Sequence, residues 1–596
     1  MEKPVFMPDG TAFDFWNDVT EYKHVYHVDC KNPNALDDGP GTEDQPFATI
    51  GRAARELKPC EKVIVHAGIY RECVRPARGG EAPDRMIAYE AAPGEEVFIR
   101  GSQLYTTEFK LSEGWNFRNQ AKVWMCELPE DWFIGYNPFI TQNFSSEYTT
   151  FTRDWSDAEI TCFMLKRGMI FVNGRPLKQV FRHYELADND GAFWVEASGL
   201  IIHFRLWNDA DPKESTFEVT TQEQVFAPKI QGLGYIRVSG LNFEHSADGI
   251  PVPQRAMVSA SRGHHWIIED CQIQWANACG IDVGNETWHR PYESNPELSG
   301  HHIIRRNNIS DCGVCGIEAV GNNAHSLIED NVVEQIGDKN IERIWETGGL
   351  KFHTCDTVLI RRNVFHHIHH APGLWLDYLN KNCRITENVF ADIEGILGGV
   401  YIEVSHDPNA VDHNIFWNIR GTGQSRGPGV NVDTGEECIV AHNLFGKIKD
   451  GYAVSISLNQ RARVVGGRVG LCRQHRVLNN VFIECPKRIL FSRVEDNQSD
   501  CNLFDQRNDA VSLCVEFPEP QALINLSAWQ RYYGLDKNSR QAKTEADFDP
   551  ETLVLTLMID EEMPDCKSVV ELHDEGTASP GPVEIKSGRH EYRFKK

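Results

Sequence analysis

An all-β chain wound into a parallel β-helix is the architecture this sequence predicts, and three observations predict it. A phrase of Asn followed by aliphatic or aromatic residues opens at Asn242, Asn308, Asn331, Asn363, Asn388, Asn414, Asn443 and Asn480, and the intervals from Asn363 to Asn443 are 25, 26 and 29 residues. A second phrase opens on Gly280, Gly316, Gly349, Gly373, Gly399 and Gly429, between the Asn phrases. A third, aliphatic run such as Val358 to Ile360 or Ile439-Val440 precedes the Asn phrase. Three short strands per ~25 residues, bent at Gly and Asn without an intervening helix, make a coil that stacks on the next at ~4.8 Å. The Asn column is expected to stack inside one bend, where its amides satisfy backbone groups. A leucine-rich repeat shares the period but needs a Leu scaffold absent here.

The chain divides into four stretches. Residues 1–107 hold the first coils and an amphipathic helix near Thr49 to Leu57, placed to cover the open edge of the first coil. Residues 108–224 break the rhythm: Trp115, Trp124, Trp132, Trp155, Trp194 and Trp207, six of the 14 Trp, fall there. MIFVNGRPL carries Asn173-Gly174, which suits a two-residue type I′ hairpin, and FWVEASGLIIHFRL alternates as antiparallel strands do. An inserted β-sandwich is the expectation. Residues 225–498 form the main helix with the candidate site, and 499–596 an irregular tail that caps the far end.

The length of 596 residues exceeds one ordinary compact core. The net charge of −26 repels phosphate backbones and anionic lipid, so neither nucleic acid nor membrane is an expected partner. The first residues lack the apolar run of a secretory signal and no stretch of ~18 apolar residues occurs, which points to a cytoplasmic protein. The 17 cysteines follow no framework; Cys271, Cys312, Cys315 and Cys383 lie inside repeats and read as buried free thiols. Cys312 and Cys315 form a lone CxxC without a second pair, and HHIHH at 366–370 has no carboxylate or thiolate at ligand spacing, so no metal and no cofactor is expected. Nothing in the sequence forbids a homo-oligomer.

The Gly phrases carry the chemistry. GLWLD at 373–377 and GVYIE at 399–403 match position for position, with Asp377 and Glu403 in equivalent places. Alternation sends Leu374, Leu376, Val400 and Ile402 inward and Trp375, Asp377, Tyr401 and Glu403 outward. One outward ladder reads Lys351, Trp375, Tyr401, Asn431; the other reads His353, Asp377, Glu403, Asp433. Acids on adjacent strands start ~4.8 Å apart, close to the ~5–5.5 Å of retaining glycosidases and short of the ~6.5–9.5 Å of inverting ones. At that distance one carboxyl is expected to keep a proton near neutrality. Trp375 and Tyr401 offer faces to a sugar ring, His353 and His406 hydrogen-bond donors. Asp433, Lys351, Glu318 and Asp282 are further candidate contacts, Glu318 and Asp282 being equally readable as solvated surface acids.

Taken together, WLDY at 375–378, IEVSHDPNAVDHNIF at 402–416, GGLKFH at 348–353, FVNGRPL at 171–177 and EQVFAP at 223–228 resemble the β-xylosidases of glycoside hydrolase family 120 over most of residues 24–485. The resemblance implies a right-handed parallel β-helix with a β-sandwich insertion, retention of anomeric configuration, Asp377 as nucleophile and Glu403 as acid/base. It implies an exo-acting enzyme that releases xylose or a related sugar from short oligosaccharides. The chain departs from the family pattern at Ser405, at Asp407, and at Tyr378 to Lys381, residues expected around the sugar pocket, and PCEK at 59–62 replaces a PGD turn. A pectate-type lyase, with Lys351 as the nearest base, and a non-catalytic carbohydrate-binding β-helix are the other readings of the same fold.

Overall fold

A computed structural model describes residues 4–112, 121–143, 164–249, 255–285, 299–339, 341, 346–422, 426–458, 464–465, 467–506, 511–518, 520–560 and 587–593. Three long sheets of 13, 13 and 11 strands run the length of the molecule, and apart from the last pair of the third sheet they are parallel. A single coil shows the plan: Leu359–Arg361 lies in the first sheet, Val364–His369 in the second, Leu374–Asp377 in the third, and Cys383–Thr386 returns to the first beside Leu359–Arg361.

The interior is built of columns, because every rung repeats the rung below. Phe365, Phe390, Phe416, Phe445, Phe482 and Phe504 stack face to face with centroids 4.9 to 5.2 Å apart. This column explains the Gly phrase. A Cβ on Gly349, Gly373, Gly399 or Gly429 would meet Phe365, Phe390, Phe416 or Phe445 at 2.7 to 2.9 Å, and the next rung's carbonyl at 2.5 to 2.7 Å. Only a residue without a side chain lets the third sheet close over those rings.

The Asn ladder occupies the bend between the first and second sheets. Each Oδ1 accepts from both the backbone and side-chain N–H of the rung before, at 2.9 to 3.2 Å, from Asn307 through Asn331, Asn363, Asn388, Asn414, Asn443 and Asn480 to Asn502. Two expected members are corrected. Asn308 and Asn242 sit on second-sheet strands, in register with Gln272, and the bend positions before Asn242, Gln272 and Asn308 fall to Leu241, Cys271 and Asn307. Left-handed residues such as Arg362, Glu387 and His413 precede the ladder Asn and turn the chain. The ~1–2 kcal/mol that a non-Gly residue spends in that region is offset by amides that would otherwise be buried unpaired.

Both ends are covered. Helix Ile50–Glu56, capped by Thr49 Oγ1 accepting from Arg52 N–H, buries Ile50, Ala53 and Ala54 against the first coils. Beyond Asp500 the coil continues through Leu503–Asp505, Leu513–Val515 and Arg540–Ala542. Helix Leu526–Tyr533 sets the buried Trp529 against Phe491 at 6.0 Å. A three-stranded antiparallel sheet, Thr544–Asp549, Val554–Ile559 and Gly588–Arg593, then lies on the outer face of the second sheet and shares an apolar cluster with it.

The insertion is a sandwich of a four-stranded and a five-stranded sheet around Phe139, Ile170, Phe193, Ile202, Phe204 and Phe217. Asn173 and Gly174, both at positive φ, make the predicted hairpin between Ile170–Val172 and Arg175–Pro176; Trp115 and Trp155 lie outside the described residues. Phe171 stacks on His245 of the helix at 3.7 Å. Asn143 Oδ1, in the NPFITQNF loop, accepts from Asn277 just before the third-sheet strand Cys279–Asp282.

Among the described residues no helix is long and apolar enough to cross a membrane. Cys271, Cys312, Cys315 and Cys383 are buried free thiols, Cys312 in the main core and Cys315 in a separate cluster, whereas Cys501 is disulfide-bonded.

Candidate active site

The third sheet aligns the candidate residues by strand register alone. One outward column reads Ser259, Asp282, Glu318, Lys351, Trp375, Tyr401, Asn431, Ser455. The neighbouring column reads His353 beside Asp377 and Glu403 beside Asp433. The pairing Leu376↔Ile402, carried one residue further, sets Asp377 against Glu403. Leu374, Leu376, Val400 and Ile402 are in the core, as alternation requires. Both acids are buried, 6% and 5% exposed.

A residue the periodicity could not reveal completes the electrostatics. Glu346, two residues before the strand Gly348–His353, is fully buried with its carboxylate 3.4 Å from Lys351 Nζ and 2.8 Å from His353 Nε2. Lys351 Nζ and His353 Nδ1 each stand 3.2 Å from Asp377 Oδ2. Burial would raise the Glu346 pKa, but Lys351 and then His353 pull it down to about 2. Burial would likewise lower the Lys351 pKa, yet Glu346, Asp377 and Glu403 raise it. The pair is therefore ionised, and a positive charge is held beside Asp377 in a site from which water is largely excluded. The signal available in sequence was indirect: a buried Lys beside one Asp and a His requires a further anion.

The aromatic pair packs over this network. Lys351 Nζ lies 3.5 Å from the centre of the Trp375 ring, and Trp375 and Tyr401 meet at 5.3 Å. Trp375 Nε1 is buried without a hydrogen-bond partner among the described residues. Tyr401 donates its hydroxyl to Asp433 Oδ2 at 3.2 Å, and burial followed by Glu403, Asp433 and Asp377 raises its pKa, so it stays a donor. Tyr378 stands edge-on to His353 at 6.1 Å.

Other candidates are placed differently. Asp282 is fully buried and accepts from Gly284 N–H at 2.8 Å and Ser259 Oγ at 3.3 Å. Burial, with Asp282 and Glu346 adding repulsion, pushes the Glu318 carboxyl well above the carboxylate range. Of the two readings, candidate contact or solvated surface acid, the second fails for both, because both are buried. His406 is 2% exposed; burial lowers its pKa first, and its charged neighbours are Glu436, Arg468 and Asp407.

The altered residues after each acid also have another explanation. Asn380 Oδ1 accepts from Cys355 N–H at 3.0 Å, its Nδ2 donates to Ser405 Oγ at 2.9 Å, and Ser405 Oγ donates to the Glu403 carbonyl. These residues form a second, shorter bend ladder, between the third and first sheets. Asp407 is half-buried and Lys381 exposed, and they pair with Arg468 and Asp356.

Comparison with known proteins bears on the fold. Residues 234–445 match the right handed beta helix region family. No curated protein sequence matches the chain. Among solved structures, XylC in complex with xylose is 22% identical, covers 96% of this chain and all of its own, and superposes with a TM-score of 0.72. A glycoside hydrolase at 13% identity covers 74% of this chain and all of its own with a TM-score of 0.43, and pectate lyase Pel9A at 10% covers 81% and 80% with 0.35. The fold is a right-handed parallel β-helix.

Proposed function

We propose that the chain is a retaining, exo-acting glycoside hydrolase that releases xylose or a related sugar from the non-reducing end of short oligosaccharides. The observation that carries this is the in-register placement of Asp377 and Glu403 on adjacent strands, both buried; strands ~4.8 Å apart fit the ~5–5.5 Å between carboxyls that double displacement uses. The resemblance of the paired phrases to family 120 β-xylosidases and the likeness to XylC with xylose support the same reading.

Asp377 attacks the anomeric carbon while Glu403 protonates the departing oxygen; Glu403 then takes a proton from water, which cleaves the glycosyl-enzyme. Lys351 and His353 stand 3.2 Å from the attacking carboxylate and Lys351 offsets its charge, so a side chain that must move toward carbon starts oriented. The sandwich loop bonds Asn277 on the same side of the rungs, three strands before Asp377, and in the exo mode it would wall off that end.

The lyase reading needs Lys351 as a neutral base. Its position between Glu346 and Asp377, which raises its pKa, argues against that role. A binding protein has no use for two buried, stacked acids, whose repulsion costs stability. A panel of aryl glycosides tests the proposal: turnover of an aryl β-xyloside with retained configuration supports it. An ultraviolet-absorbing product from pectin without glycoside turnover would replace it with the lyase, and sugar binding without turnover with the binding protein.

A further inference from the structure

Sequence alone left the histidine run HHIHH without a carboxylate partner, and the fold supplies one. Glu551 belongs to the turn between Thr544–Asp549 and Val554–Ile559, which the apolar cluster holds on the outer face of the second sheet beside Val364–His369. In an ordinary strand His366 and His367 would face opposite ways. His367, at φ 51°, is left-handed, and this breaks the alternation so that both imidazoles turn the same way. Their Nδ1 atoms stand 2.9 Å apart, and Glu551 Oε1 lies 3.9 Å from the first and 3.7 Å from the second.

Those three separations define a coordination edge. A circle through atoms 2.9, 3.7 and 3.9 Å apart has a radius of about 2.1 Å, the length of a Zn–N or Zn–O bond. One point is thus at bonding distance from all three. His366 Nε2 contacts Glu334 Oε2 at 2.7 Å, and Glu334 is paired in register with His366 one coil earlier. This places a carboxylate near the far nitrogen of a ligating imidazole, where such groups support a metal-bound His, although the contact is not aligned as a hydrogen bond. Asp549 accepts from Glu551 N–H at 3.0 Å and from Thr552 Oγ at 2.6 Å, which shapes the turn that presents Glu551. His366 is fully buried, His367 half-buried and Glu551 exposed, so a further position opens to water.

We propose that His366, His367 and Glu551 bind one divalent transition-metal ion of the zinc type, which clamps the C-terminal sheet onto the helix. Two imidazoles and one carboxylate select such an ion over calcium or magnesium. The clamp is independent of the Asp377 site, on a different sheet.

The test uses the full chain, freed of metal with a chelator and titrated with zinc. Two exposed-side variants avoid disturbing the core: Glu551→Gln, and His367→Asn, which tolerates the left-handed backbone. Equal circular dichroism of the metal-free proteins controls for folding. The wild type is expected to retain about one zinc more than the double variant, measured by mass spectrometry after gel filtration. Each single variant is expected to weaken zinc at least tenfold, and zinc is expected to raise the unfolding temperature of the wild type alone. Equal zinc content in wild type and double variant, or less than tenfold weakening in both singles, would overturn the site.

Discussion

Two columns in this molecule use the same ruler and reach opposite results. The Asn column from Asn307 to Asn502 repeats one residue, and each amide satisfies the next and a backbone carbonyl of the same bend, so the column needs no charged group to balance it. The third-sheet columns put a different group on almost every rung, and like charges meet at Asp377 and Glu403. Such a column cannot balance itself. It borrows Glu346 from a loop and Lys351 from the rung before. Regular stacking therefore yields stability where rungs are self-complementary, and where they are not it leaves buried charge, which the proposed function turns to reactivity.

The largest expected effect breaks the reactive column. Asp377→Ala should lower kcat/KM by about 10⁴-fold or more, about 5 kcal/mol of transition-state stabilisation, with little loss of fold stability. Azide should partly rescue it and give the inverted glycosyl azide. Glu403→Ala should keep activity on substrates with good leaving groups and lose it on poor ones. Activity on ordinary substrates in both variants would remove the pair from the chemistry.

Lys351→Met comes next, because it leaves Glu346 and Asp377 buried without their cation. Such removals cost about 3–5 kcal/mol, readable as a lower midpoint in denaturant unfolding. Lys351→Met combined with Glu346→Gln should recover part of that loss. No recovery would show that Glu346 does not balance the lysine.

Glu346 also sets a pH window. Its folded pKa, raised by burial but lowered further by Lys351 and His353, is about 2 against an ordinary 4.5. Stability from its ionised form is thus complete above about 4.5 and lost as pH falls toward 2. Glu346→Gln should be less stable than the wild type at pH 7, and the gap should narrow over that window. A constant gap from pH 7 to pH 3 would contradict the ionised assignment.

The contrast between columns also explains what was legible in sequence. The register of Lys351, Trp375 and Tyr401 beside His353, Asp377, Glu403 and Asp433 could be read because strand alternation is strict and Gly marks each start. Glu346 could not, since a loop has no period, and Glu551 arrives from the far end of the chain through tertiary packing alone. The structural part of Asn380 and Ser405 in a bend ladder was hidden as well, because residues after an acid look functional and only the fold shows their bonds. The burial of Asp282 and Glu318 was hidden too, since alternation gives direction and not cover.

The smallest expected effect separates two adjacent asparagines. Register in sequence favoured Asn308, yet Asn307 bonds Asn331 Oδ1 through both of its N–H groups, donates to the Ile268 carbonyl at 2.9 Å and accepts from Cys271 N–H. Asn308 lies exposed on its strand. Asn307→Ala strands the Cys271 amide and the Ile268 carbonyl in the bend and should cost about 1–3 kcal/mol. Asn308→Ala, on an open face, should fall within about 0.5 kcal/mol of the wild type. Thermal unfolding of the two variants side by side checks this. Equal losses would mean that the self-satisfying column gains little from its first rung, and that its stability resides in the Phe stack beneath.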